Sequence, residues 1–132
     1  MTVLLVDVAN VVGSRPDGWW RDRAGATTRL LGRLAGLAGR ELPGPDGGTV
    51  RCTEVVAVVE GQGKAASAPD GVTVVRADGS GDDAVAAVAT TRSGEDLLVV
   101  TADRGLRARL PAGTAVTGPG WLLERLDDAE RA

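Results

Sequence analysis

The chain has 132 residues, 43% of them hydrophobic and 25% charged, with a formal net charge of −3. That profile suits one globular domain with a sizeable core. It holds no histidine and one cysteine, Cys52, which excludes histidine acid–base chemistry, histidine metal ligands, an intrachain disulfide and a cysteine zinc site.

Charge is unevenly spread. Residues 1–40 carry six arginines against three aspartates, whereas residues 41–132 carry nine basic and fifteen acidic side chains. A protein that grips duplex nucleic acid by bulk electrostatics should be basic. Any nucleic-acid contact here must be local, metal-assisted or delivered by a partner. Neither a basic-then-apolar leader nor an apolar run of about 18 residues is present. The expectation is a reduced, cytoplasmic, soluble protein with no membrane contact.

In chain order, "TVLLVDVAN" at 2–10 reads as a buried strand ending in Asp7. The turn "GSRPDG" follows, with Asp17 as its N-cap. From Trp19 to about Ala38, Trp20, Ala24, Thr27, Leu31, Leu34 and Ala38 recur at helical spacing. "ELPGPDGGT" is a loop. A second strand over 54–61 ends in Glu60, and a third covers 72–77. "DGSGDD" leads into a helix from about Asp82 to Arg92, "DLLVVTA" is a fourth strand, and "DRGLRARL" a short helix. "TAVTG" is a brief fifth strand, and "PGWLLERLDDAERA" closes the chain as a helix with Pro119 in its first turn. Strands alternating with helices imply a single three-layer α/β domain over 1–132 with a parallel sheet of about five strands.

In open parallel sheets ligands bind beyond the carboxyl ends of the strands, where strand order reverses. Asp7, Glu60 and Asp103 each sit at such an end, and Asp82 and Asp83 open a helix on the same rim. A 3-2-1-4-5 order makes Asp7 and Asp103 neighbours. Gathered carboxylates repel one another or share a cation, and an oxygen-only ligand set suits Mg²⁺ or Mn²⁺. The candidate ligands are therefore Asp7, Asp82, Asp83 and Asp103, with Glu60 the weakest member. Asp82 and Asp83 point about 100° apart on a helix, so one of them is favoured by geometry yet to be seen. Each aspartate alone also fits a helix cap. Asn10, three residues past Asp7, is placed to hold water or substrate.

Together, "LLVDVANVVG", "GSGDDAVAAVA" and "VVTADRGLRARL" resemble the PIN-like nucleases, in particular the NYN branch with YacP-like members. The resemblance spans the domain in element order. It implies a metal-dependent endoribonuclease with Asp7, Asn10, Asp83 and Asp103 as its catalytic set and Mg²⁺ or Mn²⁺ as cofactor. It further implies that Thr101 assists positioning and that Arg104 contacts a phosphate. Where that family often has Asp-Gly after the second strand, this chain has Glu60-Gly61.

Arg15, Arg21 and Arg23 flank the expected rim and are candidates to meet RNA phosphates. Trp19-Trp20 is a candidate stacking platform, although Trp20 falls on the apolar face of the expected helix. Two other readings compete: an RNA- or ribosome-associated binding module without turnover, and a small-nucleotide phosphohydrolase. The partner expected is single-stranded or ribosome-associated RNA, with a homodimer or protein partner also open through the last helix around Trp121 and Leu122.

Overall fold

The computed structural model describes residues 1–131; Ala132, the last residue of the expected closing helix, lies outside them. The elements are β1 (Thr2–Asp7), α1 (Val8–Gly13), α2 (Arg23–Leu34), β2 (Glu41–Pro43) and β3 (Thr49–Val59). They continue with β4 (Val72–Arg76), α3 (Gly81–Thr91), β5 (Leu97–Val100), α4 (Arg104–Arg109), β6 (Ala115–Thr117) and α5 (Pro119–Arg131).

The five main strands are parallel, in the order β4-β3-β1-β5-β6. This is the expected 3-2-1-4-5 arrangement, with the reversal between β1 and β5. The short β2 adds an antiparallel hairpin to the start of β3, which makes the sheet mixed.

Alternation along the strands builds two cores. Leu4 and Val6 of β1 join Val55, Ala57 and Val59 of β3 and Leu98 and Val100 of β5, under α1, α2 and α5. Val3 and Leu5, Val56 and Val58, and Leu97 and Val99 face the other way, under α3 and α4. Both faces of the central strands are thus covered, which is why they are apolar without interruption. Helices pack on each face through Leu31, Leu34 and Leu122 on one side and Val85, Ala89 and Leu106 on the other, all buried. Cys52 is buried in the first core, and desolvation pushes its thiol up to about 11, so it is an unreactive apolar filler at neutral pH.

Four local expectations are corrected. The residues after Asp7 form a helix rather than extending the strand, because the chain turns over the sheet edge at once. The second helix begins at Arg23, capped by Asp22, whose carboxylate accepts from the Gly25 amide at 2.9 Å, so Asp17 is not its cap. Trp19–Arg21 form a separate 3-10 turn, and Trp20 is 55% exposed instead of packing in the core. The loop "ELPGPDGGT" contains the β2–β3 hairpin. At the last helix, Leu122 is fully buried and the Trp121 indole N–H donates to the Pro43 carbonyl at 3.1 Å, so both serve intrachain packing.

Candidate functional site

The side-chain parity that builds the second core also builds the site. Val3 and Leu5 face α3 and α4, so Asp7 does too. Val56 and Val58 face the same side, and Glu60 continues that row; Leu97 and Val99 are followed by Thr101. Three strands therefore send their next same-face residue onto one rim, beside the first turns of α3 and α4.

Thr101 joins the Asp7 carboxylate to the backbone of Asp103. Its side chain, fully buried, donates to the Asp7 carboxylate at 2.9 Å and accepts from the Asp103 backbone amide at 3.1 Å. Asp103 in turn caps α4, one oxygen accepting from the Leu106 amide at 2.9 Å. Its second oxygen carries no bond within the protein among the described residues. Asn10, on the first turns of α1, accepts from the Ala102 amide at 2.9 Å and so pins the β5–α4 turn against the β1–α1 turn. The Arg107 guanidinium donates to the Thr101 carbonyl at 2.7 Å and braces the same turn from below.

Helix phase separates the aspartate pair. In α3, Val85, Ala86 and Ala89 are buried, and Asp82 stands three and four residues before the first two, on their face. Asp83 points outward, where its carboxylate accepts from Arg109 at 2.7 Å. Arg109 holds the Asp83 carboxyl below the ordinary carboxylate range. Asp82 behaves oppositely: partial burial, then the charges of Asp103 and Glu60, push it up, against the opposing pull of Arg109. Glu60 accepts a hydrogen bond from the Gly81 amide and so ties the start of α3 to the end of β3.

Asp7 is only 4% exposed. Burial raises its pKa most. The Thr101 hydroxyl and the nearby Asn10 amide counter this, and the charges of Asp82 and Glu60 reinforce it. Asp7, Asp82, Asp103 and Glu60 thus share one electrostatic field. No three carboxylates among the described residues converge tightly enough to form a finished ion cage as the side chains stand. Their chemistry still fits a hard divalent cation: all donors are oxygens, and one of the carboxylates is buried and loses stability by being ionised alone.

The remaining candidates are dispersed. Thr101 is too buried to meet a substrate and acts on Asp7 instead. Arg104 is exposed at the first residue of α4. Arg15 lines a separate hollow with Arg29 and Arg33, and Arg21 lies 5.9 Å over the Trp20 ring. The expectation that both flank the carboxylates is therefore not what the structure brings together. Arg107 and the Ser80 cap of α3, whose hydroxyl accepts from the Asp83 amide at 3.1 Å, were not singled out by sequence. A serine two residues before an apolar-periodic helix was the available signal for the second.

This is an α/β fold with a mixed central sheet and helices on both faces, consistent with the PIN-like class. Among solved structures, the chain is similar to the crystal structure of Rae1 (YacP) from Bacillus subtilis, W164L mutant, with a TM-score of 0.70 at 18% sequence identity, over 99% of this chain and 78% of that one. No protein-family model and no curated protein matches the sequence.

Proposed function

We propose that the protein is a metal-dependent endoribonuclease of the PIN-like, NYN/YacP-like kind. The observation that carries this reading is the buried Asp7, wired through Thr101 to Asp103 and facing Asp82 on the rim where strand order reverses. Similarity of fold to Rae1 (YacP) supports it. Asp7, Asp82 and Asp103 would hold Mg²⁺ or Mn²⁺. When bound, such an ion supplies positive charge to a phosphate and acidifies water at neutral pH without any histidine.

The chain's own residues supply the positioning. Thr101 fixes the Asp7 carboxylate by donating to one of its oxygens. Asn10 locks the two aspartate-bearing turns together, with its amide N–H₂ left to orient water or substrate. Arg104 would meet a phosphate of single-stranded RNA. Glu60 holds the α3 entrance through the Gly81 amide and leaves Asp82 as the ligand contributed by α3.

A labelled single-stranded RNA, incubated with Mn²⁺ or with EDTA, tests the proposal. Wild type should cleave only with metal. Asp103→Asn, which keeps the helix cap, and Asp82→Asn should each lose at least about 100-fold, whereas Asp83→Asn should lose little. Full activity in Asp103→Asn, or cleavage in EDTA, overturns the assignment. One observation favours the second reading, an RNA-binding module without turnover: the carboxylates do not form a finished cage. Calorimetric titration with millimolar Mn²⁺ decides between them, since that module should take up no metal. Mono- and dinucleotides included as substrates cover the phosphohydrolase alternative.

A further inference from the structure

Beside the carboxylate rim lies a cleft of about 410 Å³, within the size range of small-molecule sites, roughly 300–1,000 Å³. Its floor is Val8 and Ala9, directly after Asp7. One wall is Trp19 with Arg23, and the other is the segment 60–63 that leaves Glu60. The cleft and the rim therefore share both a strand end and a carboxylate.

The Trp wall is unusual for this composition. The chain has three tryptophans and neither phenylalanine nor tyrosine, yet two of the three sit side by side on a surface 3-10 turn. Trp19 and Trp20 meet edge to face, with ring centres 6.1 Å apart. Gly18, at φ 80°, turns the chain so that Trp19 is presented here, half-buried, with its ring edge towards Gly13 of α1. The Arg23 guanidinium sits 5.2 Å over the Trp19 ring. Indole and guanidinium planes are the two side-chain surfaces on which unpaired bases stack.

The opposite wall is rigid and polar. A Cβ on Gly63 would come within 3.0 Å of the Thr27 hydroxyl, so this segment is packed tightly against α2. Gln62 is exposed there, and its amide has no hydrogen-bond partner among the described residues. A free amide, donor and acceptor at once, lining the same cleft as an indole and the guanidinium stacked on it suits reading a base edge.

We infer that this cleft receives one nucleobase of a single-stranded nucleic acid, stacked against the Trp19–Arg23 pair that lines it and hydrogen-bonded at its edge by Gln62. The inference rests on the nuclease reading, since it places the neighbouring phosphate over Asp7 and Asp103. An unpaired strand is required, because a paired base cannot enter a walled cleft.

The test separates binding from cleavage. Anisotropy of a fluorescent ten-nucleotide RNA is measured in EDTA for wild type, Trp19→Leu, Trp19→Phe and Gln62→Ala, with folding of each variant checked by thermal melting. Steady-state cleavage of the same RNA with Mn²⁺ follows. Trp19→Leu should weaken binding roughly 5- to 100-fold and raise KM more than it lowers kcat. Trp19→Phe should restore most of the loss, and the exposed Gln62→Ala should weaken binding several-fold. An RNA with one abasic position should lose the Trp19 dependence at a single register. If Trp19→Leu and Gln62→Ala bind and cleave as wild type does, the base site is overturned while the nuclease reading stands. Trp19-dependent binding without cleavage leaves the base site standing and removes the nuclease. No binding by wild type up to millimolar protein overturns the base site, and absence of cleavage with Mn²⁺ as well overturns both.

Discussion

The hydroxyl of Thr101 performs two tasks at one atom, donating to Asp7 and accepting from the Asp103 amide. A valine has the same shape and can do neither. Thr101→Val should leave the buried Asp7 carboxylate one donor short and the Asp103 amide without its acceptor, and cost about 1–3 kcal/mol, with RNA cleavage falling in parallel, whereas Thr101→Ser should recover both. Urea unfolding and the cleavage assay measure these outcomes; a valine variant as stable and active as wild type would show that the hydroxyl is idle. At this scale much of the site was legible. Asp7, Glu60 and Asp103 stand at strand ends that hydrophobic runs mark plainly. Asp82 against Asp83 was left open by the sequence, with the motif resemblance pointing to Asp83; the burial of Val85, Ala86 and Ala89 turns Asp82 to the inner face and leaves Asp83 to Arg109. The resemblance implied a positioning role for Thr101 but not its partner: a hydroxyl at a strand end carries no sign of which carboxylate it will meet from 94 residues away.

Single side chains also tie whole elements together. Arg92, just past α3, reaches Glu54 of β3 and Glu95 of the following turn, each at 2.7 Å, and so anchors the far end of the helix whose near end carries Asp82. Arg92 holds the Glu54 carboxyl below its ordinary value of 4.5. A lowered carboxylate stabilises the fold above its unfolded value and loses that contribution as pH falls through the lowered one. Arg92→Ala should therefore cost about 1 kcal/mol at pH 7, the pair being partly solvated. The gap to wild type should narrow as pH drops below 4.5, and urea titrations at pH 7 and pH 3 read it. The elements that escaped the sequence did so for local reasons. "VANVVG" is rich in β-branched valine, a strand former, and becomes helix only because the sheet ends at Asp7 and the chain must turn. The β2 hairpin hides behind Pro43, Pro45 and the three glycines Gly44, Gly47 and Gly48, residues that read as loop until β3 supplies a partner.

The whole molecule is a sheet with a core on each face, and the two cores are unequal. Leu31 lies fully buried in the larger one, between α2 and the sheet. Leu31→Ala should cost about 2–5 kcal/mol, a large share of the roughly 5–15 kcal/mol that holds such a domain together, and the melting temperature should show it. The rim carboxylates are tied mainly to Thr101, α3 and α4, so the variant should still lose cleavage only in proportion to its unfolded fraction; loss well below that temperature would mean the faces are coupled. Architecture was the most legible feature of all. Alternation of apolar runs with helical patterns forces a parallel sheet, and a parallel sheet with covered faces leaves few orders to choose from.

The bond from Asn10 to Ala102 spans 92 positions, and that from Thr101 to Asp7 spans 94. Neither can form while the chain is still being synthesised up to its fourth strand. A ribosome making this protein therefore extrudes Asp7 early, an isolated carboxylate with nothing to align it, until the residues around Asp103 emerge and close the rim in one late event. The rim is thus completed only after most of the message that encodes it has been read.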